Sequence, residues 1–257
     1  MNQKIRNILQ KIAVTLVVLT AAILIISAVE KKETDTVSSV FINIQPLKNG
    51  NTMLDSTDVL TAIERSFGYK LESQKTGIVN IERVERVLEK EPFVRDAEVY
   101  MDTKNRVHIS LRQREPVLRV IDRDGNNFYL DQEAQKMPLS KHYTARVLVA
   151  TGDITPHQPD YLVTSKGHIL KDLYYLTQYI AADEFWYSMI EQIYVEGGEM
   201  ILIPKVGKQK IQFGKFEKVE SKFRRLRKFY EEGMSRVGWD KYRTIDVRFD
   251  GQVVGRR

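Results

Sequence analysis

The sequence predicts an α+β protein in two unlike parts behind an apolar N-terminal segment. Three observations carry this. In residues 40–115 the hydrophobic spacing runs strand, helix, helix, strand, strand. Residues 116–257 read instead as an antiparallel meander of short strands carrying two helices. The run "IAVTLVVLTAAILIISAV", Ile12–Val29, carries no charge. The expected order is a tail over 1–11, a transmembrane helix over 12–29, a linker over 30–39, a first domain over 40–115 and a second over 116–257.

The uncharged run is at the short end for a spanning helix, which needs about 17–25 residues. Lys4, Arg6 and Lys11 precede it without an acid. Positive charge favours the cytoplasmic side, so the N-terminus stays inside and the rest is exported. Lys31 and Lys32 follow the run but stand among Glu30, Glu33 and Asp35. The rival reading is a cleaved signal peptide. Its exit, "IISAVEKK", lacks a small-x-small site, because cleavage after Ala28 puts Ile26 at the minus-three position. A retained anchor is the expectation, and both readings export residues 30–257.

In the first domain "VFINI" (40–44) reads as a strand. Ser56 or Thr57 is expected to cap a helix with Leu60, Ile63 and Phe67 on its apolar face. Asn80 caps a second helix, with Ile81, Val84 and Leu88 inward, which ends before Pro92. Ala97, Val99 and Met101 then alternate with polar residues. "TKN" turns, with Asn105 tolerating a left-handed backbone. Val107, Ile109 and Leu111 alternate again, giving a hairpin with one buried face. Its exit carries Arg112 and Arg114 and stops at Pro116.

In the second domain strands are expected at 117–121, 128–131, 145–152, 193–203 (a hairpin over Gly197-Gly198) and 210–214. One helix is expected near 166–182 (Ile169, Leu173, Leu176, Ile180 inward) and another near 217–235 (Val219, Phe223, Leu226, Tyr230 inward). "TIDVRFDGQVVGRR" closes the chain as strand, turn at Gly251, and strand. A terminal strand is naturally a sheet edge, able to accept a strand from another protein. Arg248 and Asp250 there also read as charges that guard an edge against aggregation.

Composition narrows the chemistry. Net charge is +6 and there is no cysteine, which excludes disulfides, a thiolate nucleophile and a cysteine zinc site. His108, His142, His157 and His168 lack ligand spacing, so no metal is expected. No Walker or Rossmann glycine loop and no G-x-S-x-G elbow occurs, and no carboxylate pair stands out. His108 and His168 read as exposed polar residues. The basic run Lys222, Arg224, Arg225, Arg227 and Lys228 reads as a solvated helix face, with an acidic partner or anionic lipid as the second reading. Export and the lack of interleaved aromatics count against nucleic acid. No enzymatic activity, cofactor or small-molecule substrate is expected.

Four fragments in order resemble the FtsQ/DivIB family of bacterial cell-division proteins. They are "VERVLEKEPFVRDAEVYMDTKNRVHISLRQREPVLRV", "FYLDQEAQKMPL", "IQFGKFEKVESKFRRLRKFYEEG" and "IDVRFDGQVVGRR". The glycine usual in the second fragment is replaced by Ala134-Gln135. The resemblance implies a POTRA domain (β-α-α-β-β) and a "β" domain behind one inner-membrane helix, in a non-enzymatic scaffold at the septum. It implies partners of the FtsB/FtsL (DivIC) type, added to the last strand around Phe249, Gly251, Val253, Val254 and Gly255, with Arg248, Arg224 and Arg225 in support. It implies a POTRA docking edge at Phe41 and a junction at Arg112, Arg114 and Pro116. The alternatives are a POTRA-bearing envelope assembly or secretion factor, which would lack this N-terminal span, and a membrane-anchored cell-wall enzyme.

Overall fold

A computed structural model describes residues 11–24, 27, 35–72, 74–159, 161–163, 168–234, 238 and 241–257. They fall into two compact units that divide between Gln113 and Arg114. Ahead of the first, residues 11–24 are helical and exposed. Among the described residues no helix is long and apolar enough to cross a membrane. The expected span runs on to Val29, and residues 25, 26, 28 and 29 lie outside the described residues, as do 1–10 of the expected tail.

The first unit runs β1 (Ser39–Gln45), α1 (Ser56–Phe67), a 3₁₀ turn (Thr76–Ile78), α2 (Ile81–Leu88), β2 (Val94–Met101) and β3 (Arg106–Gln113). The cap of α1 is Asp55, not Ser56 or Thr57. Its carboxylate accepts from Asp58 N (2.9 Å), and Asp58 accepts from Asp55 N (3.2 Å), a reciprocal capping box. The inward face is Val59, Ala62 and Ile63, which leaves Leu60 40% exposed rather than in the core. Asn80 caps α2 by accepting from Arg83 N (2.8 Å). The sheet order is β1-β3-β2, with β2–β3 antiparallel and β1–β3 parallel. Parallel pairing needs a crossover, and α1 and α2 supply it. Val59, Ile63, Val84 and Leu88 bury against Ala97, Val99, Val107, Ile109 and Leu111. Asn105 turns the hairpin at φ 59. Gln113, buried, ties the unit's end: Oε1 accepts from Met53 N (2.6 Å) and Nε2 donates to Gln45 O (2.8 Å).

The second unit contains β4 (Pro116–Ile121), β5 (Asn127–Asp131), β6 (Lys136–Met137), β7 (Leu148–Gly152), α3 (Ile169–Ala181), α4 (Glu184–Met189), β8 (Ile190–Glu196), β9 (Glu199–Pro204), β10 (Lys210–Gly214), α5 (Val219–Lys228), β11 (Thr244–Asp246) and β12 (Val254–Arg256). A six-residue π turn, Phe229–Met234, continues α5. The order across the sheet is β12-β11-β10-β9-β8-β7-β4-β5-β6.

The sheet is mixed, which corrects the antiparallel expectation. Pairs β4–β7, β7–β8 and β10–β11 are parallel. Two of these pairs follow from the helices: α3 and α4 stand between β7 and β8, and α5 between β10 and β11, so each supplies a crossover that leaves the strands parallel, whereas β4 and β7 are joined through β5 and β6. Helix α4 is a third helix that the expectation of two lacked. It is too short to show a period, and Asp183 caps it by accepting from Phe185 N (3.0 Å). Leu173, Leu176, Ile180, Trp186, Phe223 and Leu226 bury against Leu118, Val120, Ala150, Ile193, Leu202 and Ile211 in one core. Each large aliphatic or aromatic side chain among them contributes about 1.5–3 kcal/mol.

Two local features differ from expectation. Ala134 takes the left-handed conformation (φ 60) in the turn where the resemblance implies a glycine, and Asp131 holds that turn by accepting from Glu133 N (3.0 Å) and Gln135 N (2.7 Å). The closing strand is also interrupted: β11 stops at Asp246, and residues 247–253 form a turn before β12. The Asp246 carboxylate accepts from Arg248 N (3.1 Å), a local bond that competes with the ladder and ends the strand.

Candidate partner-docking edge

Strand β12 ends the larger sheet. It pairs antiparallel with β11 on one side (Thr244↔Arg256, Ile245↔Gly255, Asp246↔Val254), and among the described residues its other side has no neighbouring strand. Val254 and Gly255 are half-buried and Arg256 is exposed. Gly255 is required by close approach, since a Cβ there would lie 2.6 Å from the Tyr242 ring. That ring leans on Phe229 at 5.8 Å, which links β12 to the π turn.

The turn before β12 is held by charge. Arg248 donates from Nε and NH2 to Asp246 (3.0 and 2.7 Å) and from NH1 to Glu199 (2.8 Å). Burial pushes the Asp246 carboxyl up, but the Arg248 hydrogen bonds outweigh it and hold the group below its usual range. Its hydrogen bonds to Asp246 and then to Glu199 raise Arg248 in turn, so it stays cationic. Its stem lies on Gly214, where a Cβ would meet Cγ at 2.9 Å. Arg248 therefore positions the turn.

Arg225 does similar work from α5. Its NH2 donates to Val247 O (2.9 Å) and Phe249 O (3.2 Å), and NH1 donates to Ser221 Oγ (2.8 Å). Lys218 and Asp250 pair at 2.5 Å, both exposed, so the contact is worth little in water. Phe249 remains 44% exposed. Arg225, Lys228, Phe229 and Glu232 form one wall of a groove of about 410 Å³, and residues 251–253 form the other.

The basic run is not the solvated face that its charge suggests. Lys222 is 3% exposed; its Nζ donates to Lys215 O (2.8 Å) and lies 4.7 Å from the Phe213 ring centre, and burial pushes its pKa down. Arg227 bonds Asp183 (2.6 Å) and covers the Phe185 ring at 4.6 Å. Arg224 and Lys228 are the members of the run that are exposed.

Residues 115–256, more than half of the chain, match the family model described as FtsQ/DivIB, C-terminal related. The chain belongs to the FtsQ/DivIB family. Residues 36–112 match a POTRA-like domain, and no curated protein matches the chain. The FtsQ/DivIB family is a division-related scaffold family, and POTRA-like domains are scaffold domains.

In this FtsQ/DivIB chain the larger unit brings Arg225, Arg248, Phe249, Gly251, Val253, Val254 and Gly255 together, with Arg224 on the outer side of α5. Only Val254 and Gly255 of these stand in β12; Phe249, Gly251 and Val253 belong to the turn. The other expected residues lie elsewhere. Phe41 is 49% exposed on β1, an edge of the three-stranded sheet. It stacks on His108 (5.3 Å), which stacks on Tyr100 (4.8 Å). His108 is thus half-buried between two rings, with Nε2 3.2 Å from Asp102, rather than merely solvated. Burial pushes the Asp102 carboxyl up, yet hydrogen bonds from Arg106 and His108 prevail and hold it well below its usual range.

His168 is buried, against the expectation of exposure. Its Nδ1 accepts from Leu170 N (3.2 Å), which makes it the cap of α3. Arg112 bonds Asp96 (2.9 Å) inside the first unit. Arg114 bonds Asp131 (2.7 Å) and Lys136 O (3.2 Å) inside the second, where Pro116 opens β4 opposite Asp131. Sequence reasoning missed Asp246, Glu199 and Tyr242. The spacing Asp246-x-Arg248 is the one local signal, since a short acceptor two residues before a donor favours a turn.

Proposed function

We propose that this chain is a non-enzymatic scaffold of the bacterial divisome that receives an extended segment of a membrane-anchored partner on β12. The observation that carries the reading is the open side of β12 at the end of the sheet. An added strand would gain main-chain hydrogen bonds along the free side of β12, and side-chain contacts from Phe249 and Val253. Gly251 supplies the left-handed turn (φ 74). Arg248 and Arg225 fix the turn, and exposed Arg224 offers charge to an acidic flank. The partner is of the FtsB/FtsL (DivIC) type, without nucleic acid or small-molecule substrate.

In the same reading, the uncharged run over 12–29 is a single inner-membrane span with the N-terminus in the cytoplasm, and residues 30–257 act in the periplasm at the septum. The POTRA-like domain recruits through the β1 edge at Phe41. Arg112, Arg114 and Pro116 mark the boundary between the domains.

The test is Val254→Pro in the full-length chain, because proline removes a backbone N–H of β12 and restricts the strand. Affinity capture after cross-linking in cells should recover membrane-anchored division proteins with the parent chain and lose them with the variant. Equal recovery by a folded variant would contradict the reading.

A further inference from the structure

A second concavity of the larger unit lies away from β12. It measures about 390 Å³ and sits beside the starts of the parallel strands β7 and β8. This is within the about 300–1,000 Å³ of ordinary ligand pockets. Its floor is apolar, formed by Ala145, Val147, Val149 and Ile190. Its rim carries Arg119, Arg146 and Lys205 against a single carboxylate, Glu191.

Two of the three cations are held in place by a hydrogen bond. Arg119 alternates with buried Leu118 and Val120, so it projects from the other face of β4. Its Nε donates to Asn127 Oδ1 (3.0 Å), which fixes the fork and leaves both terminal NH2 groups as donors. Lys205 donates one Nζ proton to Tyr187 O (3.3 Å). Arg146 is exposed. Among the described residues none of the three stands in a salt bridge. Like charges facing one cavity repel one another, and a ligand carboxylate relieves that repulsion.

We propose that this pocket binds an acidic peptide segment of a partner protein. A carboxylate meets the Arg119, Arg146 and Lys205 rim, and a neighbouring apolar side chain occupies the floor. Charge complementarity selects the acid. The apolar floor is what a bare inorganic anion would leave unused.

The test is fluorescence anisotropy on the full-length chain with a fluorescein-labelled hexapeptide of alternating glutamate and valine. The expected result is saturable binding that the double substitution Arg119→Gln/Arg146→Gln weakens about tenfold, and that Lys205→Gln weakens about threefold. Binding should also weaken as salt rises from about 50 to about 300 mM. Unchanged thermal melts keep the variants interpretable, and Val254→Pro should leave this binding intact. Absent saturable binding, or equal binding by the double variant, overturns the proposal. So does displacement by inorganic phosphate at matching concentration, which would mark a bare anion site.

Discussion

Arg114→Ala should cost the larger unit much of its stability. Arg114 and Asp131 form the most enclosed ion pair among the described residues, with side chains 15% and 3% exposed and Nε 2.7 Å from the carboxylate. Removing one member of a buried pair costs about 3–5 kcal/mol, because the other charge is left without compensation. Asp131 would keep its bonds from Glu133 N and Gln135 N, which places the expected loss near the low end, about 3 kcal/mol. With a urea m-value of about 2 kcal/mol/M, the midpoint falls by about 1.5 M. Tryptophan fluorescence is the assay, since Trp186 and Trp239 both lie in the 114–257 segment. A double-mutant cycle with Asp131→Asn isolates the pair, and a coupling of about 2 kcal/mol is expected. A midpoint shift below about 0.3 M, or coupling below about 0.5 kcal/mol, would refute the reasoning.

Three further predictions concern individual side chains. Lys218 precedes α5 at φ 49 with no side-chain cap; Lys218→Asn, which tolerates that backbone, should raise stability by about 0.5 kcal/mol in urea melts, and a loss would contradict it. Burial lowers the pKa of both His157 and His168. Their folded values then lie below the unfolded value of about 6.5, so stability is full above that pH and falls as acid protonates the unfolded chain first. Melting temperature should drop as the pH falls below about 6.5, and a flat profile would contradict this. Gly255→Val should collide with Tyr242 and loosen β12, read as faster amide exchange at Val254 and Arg256; unchanged exchange would refute it.

The first unit was legible because its strands are half-buried. Val107, Ile109 and Leu111 alternate with polar residues and so disclose their face directly. The parallel pairs of the second unit were not, because strand direction depends on where a crossover lands and not on periodicity. Helix α4 has only six residues, fewer than two turns, so no stripe could reveal it. The closing strand shows local chemistry overriding pattern. Ile245, Val247 and Phe249 alternate perfectly, yet the Asp246–Arg248 bond ends the ladder after Asp246. Lys222 and Arg225 likewise read as surface charge, while aromatic and backbone carbonyl partners distant in sequence draw them inward. That a last strand closes the larger sheet was legible in outline. Which residues shape that edge was set by contacts 22 to 49 positions apart, such as Arg225 to Val247 and Arg248 to Glu199.

The most direct test of the docking edge is photo-crosslinking in cells from a photoreactive residue replacing Phe249, whose side chain is 44% exposed beside β12. Mass spectrometry of the product should identify a small membrane-anchored division protein. Crosslinks confined to this chain would mean that the turn and β12 are covered from within, and would contradict the proposed docking role.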